Sequence, residues 1–333
     1  MTALVLTAGG ARGAYQAGVM KRISEIPAFV DQAAPFSIIT GASAGAINGA
    51  AIASQHDNFG VASKLLVKLW ASLEANNVYR SDAFAMMKNA ASLALDFGLG
   101  GLVGAGRVKS LVDSSPLYAF LNQNLKLDGI RRAVKEGGLY ALGITATGYH
   151  TGRAFTFVEG KPGHPLWSKS RRVALPAEIT LPHVLASAAI PIVFPPVELP
   201  AGAASAFFGD GAMRLVTPLS PAIRLGADRL LAVGVRCQES ANSLLRSEWS
   251  QDADFAPNLK RPPLSQICGT LMNAIFLDHL DSDLDHLKRM NSFVAEHEKL
   301  ASLVDLVAES DSDHEPMRIV TPLVISPSAD IAI

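Results

Sequence analysis

Three short stretches of this chain combine residue types that can do chemistry. Gly41-Ala42-Ser43-Ala44-Gly45 fits G-x-S-x-G, after an apolar run, Phe36–Thr40, and before a small-residue helical pattern reaching about Ser54. A serine on such a strand-to-helix turn is presented as a nucleophile, and the tightness of the turn demands small neighbours. Its four neighbours in the motif are all Gly or Ala. The Ala44 amide and the start of the helix would face an oxyanion formed at Ser43. The second stretch is Gly9-Gly10-Ala11-Arg12-Gly13. Consecutive glycines between a strand and a helix leave backbone N–H groups pointing at an anion, either a transient oxyanion or a phosphate. The third, Phe207-Phe208-Gly209-Asp210-Gly211-Ala212, puts an acid at the end of an apolar strand, where sites in open α/β sheets lie. An isolated Asp-Gly is more often a turn cap, so Asp210 gains weight only from its company.

Competing readings of these stretches are weaker. Ala8-Gly9-Gly10-Ala11-Arg12-Gly13 also fits a degraded dinucleotide fingerprint, but that motif needs an acid at the end of the second strand. Here the second strand ends in Thr40-Gly41 and delivers Ser43, while Asp31 lies before it. A Ser-acid-His order would draw its base from His279, His286, His297 or His314. The first three fall in a long amphipathic helix and the last in a polar run, so none is placed for a triad. Asp281-x-Asp283-x-Asp285 lacks the glycine and the final glutamate of a calcium loop and reads as a solvated helix face. No metal ligand spacing and no cofactor is expected.

The elements that must position these residues follow from hydrophobic patterning. Ala3–Thr7 is a short continuous apolar run, as a buried parallel strand should be. A helical pattern through Val19, Ile23 and Ile26 follows the glycines, and another runs through Val61, Leu65, Leu69 and Leu73. The first 55 residues therefore read β-loop-α-β-turn-α, the opening of a doubly wound α/β fold. A hairpin is expected for Leu139–Thr147 and Ala154–Val158, and a helix for Leu181–Ala189 with Pro182 in its first turn. Ala206–Phe208 and Leu230–Val235 read as buried strands, Leu264 to about Leu306 as one or two amphipathic helices, and Arg318–Ile325 as a last strand. Ala90–Gly106, apolar and rich in glycine, reads equally as a mobile cover over an apolar site or as a buried packing loop. Gln238–Pro263 is polar and reads as a surface loop.

Composition narrows the class. Hydrophobic residues make up 49% and charged residues 18% of 333, which suits a chain with a large core and excludes a disordered polyelectrolyte. A net charge of −1 argues against a nucleic-acid partner. The two cysteines, Cys237 and Cys268, form neither a disulfide framework nor a zinc motif. Gln32–His56 lacks formal charge, but Gly41, Gly45 and Gly49 with Ser43 and Asn48 divide it into strand, turn and helix. With no basic leader before the first strand, a cytoplasmic location is expected. Composition leaves peripheral membrane contact open.

The three motifs, in this order and context, resemble the patatin-like phospholipases in their bacterial form. Ala146-Thr147 with Gly152, Ala186–Val197, and Thr217-Pro218 through Asp228 also resemble stretches of that family. The likeness runs from about Ala3 to Val235, and the long C-terminal helix is similar to the extension of bacterial members. The resemblance implies a three-layer α/β/α fold with a mostly parallel sheet. Its catalytic domain would span residues 1–236, with a loop, long helix and final strand in 237–333 packed on it. It implies a lipid acyl ester as substrate and a Ser–Asp dyad without histidine: Ser43 as nucleophile, Asp210 as general base. Gly9 and Gly10, with the neighbouring amides of Ala11, Arg12, Gly13 and Ala44, would form the oxyanion hole, and Arg12 matches the family's basic loop residue. Gly41, Gly45, Gly211 and Ala212 would complete the two motifs. There are departures. Ala8 stands where the family has a first glycine, Ala212 ends the acid motif, and Gln16 occupies a position where many bacterial members carry histidine. A carboxylate is a weak base for a hydroxyl, so a low-dielectric surrounding is needed, and Phe207 and Phe208 are expected to supply it. A general carboxylesterase or an acyltransferase would use the same dyad, and a phosphate-binding or nucleotide-binding regulatory protein would use the glycine loop alone.

Overall fold

The computed structural model of the protein describes residues 1–79, 110, 112–202, 204–237, 263, 267, 270, 274, 279–304, 318–329 and 331. In chain order the elements are β1 (Thr2–Leu6), α1 (Gly13–Ser24), β2 (Ile38–Ala42), α2 (Ala44–Ser54), α3 (Phe59–Ala71) and α4 (Ala75–Val78). There follow α5 (Ser115–Asn124), α6 (Asp128–Glu136), β3 (Ala141–Gly148), β4 (Arg153–Gly160), β5 (Arg172–Pro176) and α7 (Leu181–Ala188). The chain closes with β6 (Val197–Ala201), β7 (Ala204–Gly209), α8 (Ser220–Arg224), β8 (Arg229–Val233), α9 (His279–Val304) and β9 (Thr321–Ile325).

The sheet runs β5-β4-β3-β2-β1-β8-β9, with the β6–β7 hairpin attached to the end of β3. Every neighbouring pair along that path is parallel except β3–β4. The central strands are apolar without alternation because both their faces are covered: all of β2 and all of β3 are buried. Alternate residues feed two layers. Leu4, Leu6, Ile39, Leu142 and Ile144 meet Met20, Ala46, Ala50 and Leu66 on one side. Ala3, Val5, Ile38 and Ala141 meet Leu219, Ala222, Leu280, Leu284 and Leu287 on the other. The result is the expected α/β/α sandwich. Helix α2, Ala-Gly-Ala-Ile-Asn-Gly-Ala-Ala-Ile-Ala-Ser, is buried along its whole length. That explains why Ala44–Ser54 carries no charge: a helix without a solvent face needs none.

Several expectations shift in detail. Apolar spacing finds α1 and α3 but misplaces their inner faces. In α3 the buried line is Phe59, Ala62, Ser63, Leu66 and Leu69, whereas Val61 and Leu65 are exposed. Phe59 sets the phase by packing edge-on against Phe36, and the Asn58 side chain caps the helix by accepting from the Val61 N–H. In α1 the buried residues include Gln16, Met20 and Ser24, while Ile26 lies outside the helix and is exposed. Ala206–Phe208 is not a buried strand throughout: β7 is a hairpin arm whose Phe207 is exposed and whose Phe208 is fully buried. The face of α9 bearing Asp283 is not solvated. Asp283 is buried, and its Oδ2 accepts the Leu219 N–H at 2.9 Å. Burial pushes its carboxyl pKa up, against that hydrogen bond and the charges of His286, Arg172 and His279. Ala90–Gly106 and residues 238–262 lie outside the described residues.

Candidate active site

The two glycine-containing turns emerge side by side because β1 and β2 are parallel neighbours in register, Leu6 opposite Gly41. β3 lies on the other side of β2, Thr145 opposite Ala42. β7 then runs antiparallel onto the end of β3, with Gly209 opposite Thr147. Asp210 follows at once, so the sheet carries it to the edge where Ser43 turns. Thr147 Oγ1 donates to the Asp210 carbonyl at 2.8 Å, and the Asp210 N–H donates to the Ala189 carbonyl at 2.8 Å, fixing the acid's backbone from both sides.

Ser43 occupies φ 55°, ψ −127°, a conformation that L-residues rarely adopt. Strain of this kind costs about 1–3 kcal/mol and persists only where the surroundings impose it. Here they do. A Cβ on Gly41 would strike the Gly45 carbonyl, and one on Gly45 would strike the Leu6 carbonyl, so both motif glycines are required by close approach. The Ser43 N–H donates to Ser187 Oγ at 3.0 Å, and Ser187 Oγ donates to the Thr145 carbonyl at 2.6 Å. Ser187, on α7, thus ties the Ser43 turn to β3. Sequence reading placed it in a helix and assigned it no role. Its signal, a serine amid Ala186 and Ala188, was weak.

The Asp210 side chain is fully buried. Oδ1 accepts the Ala212 N–H at 2.9 Å, while Oδ2 has no hydrogen-bond partner. Burial pushes its pKa up to about 7, against the adjacent Ser43 hydroxyl and the Ala212 N–H, both of which favour the charged form. The two side chains are therefore close enough to interact without a fully formed hydrogen bond. Such geometry is common before substrate tightens a site. Phe208, two residues before Asp210, belongs to a buried apolar cluster with the edge-on rings of Phe155 and Phe157. Exposed Phe207 does not. Tyr149 is a further neighbour: burial and the charge of Asp210 both raise its phenol pKa.

The glycine loop forms one 3-10 turn, Gly10–Arg12, leading into α1, with Gly10 at φ 54°. Arg12, half-buried, spends its N–H on the Gly9 carbonyl, and Gly13 spends its own on Gly10. Neither amide is available to an anion. The N–H groups of Gly9, Gly10, Ala11 and Ala44 meet no carbonyl among the described residues, so they are the donors that remain. Gly13 packs directly on Ala44 and Trp70. Gln16 explains the rest. Its Nε2 donates to the carbonyls of Thr7 and Val233, and its Oε1 accepts from Asn48 Nδ2. Asn48 Nδ2 also reaches the Gly13 carbonyl, and Asn48 Oδ1 accepts from Trp70 Nε1 at 2.7 Å. This buried network clamps the loop to α2, the helix that Ser43 begins.

Among the described residues no histidine hydrogen-bonds the Ser43 or Asp210 side chain, although His279 lines a small cavity with Gly41, Ala42 and Ala212. His56 bonds the Phe36 carbonyl, and His183 bonds Thr180 at the start of α7, where burial lowers its pKa to about 4. His279 and His286 lie on α9. Among the described residues no group of three or more His, Cys, Asp or Glu could hold a metal ion, and no helix is long and apolar enough to cross a membrane.

A mostly parallel α/β/α sandwich brings together a serine on a strained strand-to-helix turn, a buried acid and a glycine loop. The patatin-like phospholipase family model matches residues 4–223, and the chain belongs to that family. No curated protein matches the chain. Among solved structures, VipD from Legionella pneumophila is 16% identical with a TM-score of 0.38, covering 74% of this chain and 52% of its own. ExoU of the Pseudomonas aeruginosa type III secretion system, solved in complex with SpcU, is 19% identical with a TM-score of 0.24, covering 48% of this chain and 35% of its own. The chain thus matches about half of the first and a third of the second.

Proposed function

We propose that this protein hydrolyses lipid acyl esters with Ser43 as nucleophile and Asp210 as general base. One observation carries the reading: a fully buried carboxyl with a pKa near 7 lies against a serine hydroxyl on a strained turn. A base poised near neutral pH is what proton abstraction from a hydroxyl requires. Ser43 Oγ attacks the ester carbonyl as Asp210 takes its proton. The negative charge moves to the carbonyl oxygen, where the N–H groups of Gly9, Gly10, Ala11 and Ala44 can receive it. Collapse of the tetrahedral intermediate breaks the bond to the alcohol, which leaves with the proton returned by Asp210. Water, activated by the same carboxylate, then attacks the acyl-Ser43 ester and frees the fatty acid. Family membership supports a lipid substrate, and Tyr149, which feels the charge of Asp210, is one of several exposed large apolar side chains, with Ile192 and Phe207, that would suit one. Those side chains would also suit peripheral contact with a lipid surface.

The test is labelling by a fluorophosphonate probe together with turnover of phospholipids, lysophospholipids, acylglycerols and short-chain esters. Labelling should map to Ser43, and long-chain esters should be preferred. A protein that neither labels nor turns over any ester would defeat the proposal. Turnover of short esters alone would reassign it as a general carboxylesterase. The nucleotide reading has less support, since β2 ends in Thr40-Gly41-Ala42 without an acid.

A further inference from the structure

The helical layer facing away from α2 contains a cavity of about 480 Å3 between α8, α9 and the entry to β9. This is within the size range of small-molecule sites. Its lining includes three arginines, the half-buried Arg172 and Arg224 and the exposed Arg318. Arg172 Nη1 donates to Thr217 Oγ1 at 2.9 Å and to Ser220 Oγ at 2.6 Å. Arg318 Nη2 donates to the Ile223 carbonyl at 2.6 Å, and Arg224 stacks 5.9 Å over Trp167. All three are thus oriented by neutral groups. Among the described residues no carboxylate forms an ion pair with any of them. Asp283, the acid of the cavity, has one oxygen committed to the Leu219 N–H. Burial and the charge of Arg224 both lower the Arg172 pKa, with Asp283 opposing them, so the cations are crowded. The rest of the lining sets His286 and Asn291 among apolar side chains, chiefly Ile223, Leu287, Met290, Val294 and Val320. The Asn291 side chain holds it together, donating to the Val320 carbonyl at 2.7 Å and accepting the Val320 N–H at 3.0 Å.

Guanidinium groups that share a cavity, outnumber its single acid Asp283 and form no ion pair among the described residues favour a carboxylate or phosphate, which they can grip through charge-assisted hydrogen bonds. The adjoining apolar wall favours a hydrocarbon chain. We propose that this cavity is a second, non-catalytic binding site for an anionic amphiphile. Its head group sits among Arg172, Arg224 and Arg318, and its chain lies along Ile223, Leu287 and Met290. The site is separate from the dyad, so its failure and that of the proposed hydrolase are independent.

Binding is read by calorimetry on the full chain carrying Ser43→Ala, with oleate, oleoyl lysophosphatidate, uncharged monooleoylglycerol and inorganic phosphate as probes. At least one of the two anionic amphiphiles should bind one to one, and which one identifies the head group. Monooleoylglycerol and phosphate should each bind about tenfold more weakly or worse, because each lacks one half of the recognition. Arg224→Gln and Arg318→Gln should each weaken the amphiphile about tenfold with unchanged melting. Met290→Glu places an acid in the cavity and should abolish binding, which keeps the test decisive if an arginine variant misfolds. Absence of binding by both amphiphiles, affinity undiminished in the folded variants, or equal affinity for monooleoylglycerol or phosphate would overturn the proposal.

Discussion

The turn at Ser43 and the clamp around Asn48 lie at the two ends of one short stretch, yet they are built on opposite principles. At the turn the backbone is strained, Asp210 Oδ2 is buried without a partner, and its carboxyl is held near neutrality. In the clamp, Gln16, Asn48 and Trp70 are regular helical residues whose hydrogen bonds close a network. A fully satisfied buried network is rigid. An unsatisfied buried group is costly, and reactive for the same reason. The contrast teaches that the strained serine and the buried acid are sustained by surroundings with no freedom to relax them.

The sharpest break of this contrast is at the pair itself. Ser43→Ala and Asp210→Asn should each lower kcat by about three orders of magnitude or more, and the double variant should be little worse, because the two act as a unit. Single-turnover kinetics on variants whose circular dichroism matches wild type would check this. Additive losses would show independent roles. Gly10→Val should lower kcat by about two orders of magnitude with KM much less affected, by obstructing donors that act on the developing charge. A change confined to KM would move the loop from transition-state to substrate binding.

Changes in the clamp should act on stability first. Asn48→Leu strands the Trp70 N–H, the Gly13 carbonyl and Gln16 Oε1, and should cost about 3 kcal/mol in denaturant unfolding. Ser187→Ala leaves the Ser43 N–H and the Thr145 carbonyl behind and should lower kcat about tenfold through misplacement of the nucleophile. Equal kcat with lower stability would make Ser187 purely a brace.

The smallest effect separates the two regions by pH. Below pH 7 kcat/KM should fall about tenfold per unit, following protonation of Asp210. Stability should move the other way. The folded-state pKa of Asp210 lies above its ordinary 3.8, so between 3.8 and about 7 the folded chain binds the proton more tightly and loses stability as pH rises. Asp210→Asn should therefore melt a few degrees higher than wild type at pH 8, with the gap closing towards pH 5. Calorimetric scans at both values would reveal it, and a lower melting temperature at pH 8 would contradict a strained carboxylate.

Much of this was legible in one dimension. Continuous apolar runs reported β1 and β2 as doubly covered strands, and small residues packed around a serine reported a turn with no room for side chains. Both are local steric demands, so local sequence expresses them. The family resemblance likewise rested on contiguous motifs. What neighbours could not specify was decided by three-dimensional pairing. The antiparallel docking of β7 on β3 carries Asp210 to Ser43, and no spacing encodes that register. Packing of Phe59 on Phe36 goes with a phase of α3 that buries Leu66 and Leu69 but leaves Val61 and Leu65 outside, and Asp283 lies inside with its carboxylate on the Leu219 N–H. Gln16, Asn48 and Ser187 acquired their roles only when strands and helices from distant parts of the chain met. A polar side chain declares its partner only once burial has removed water as the alternative.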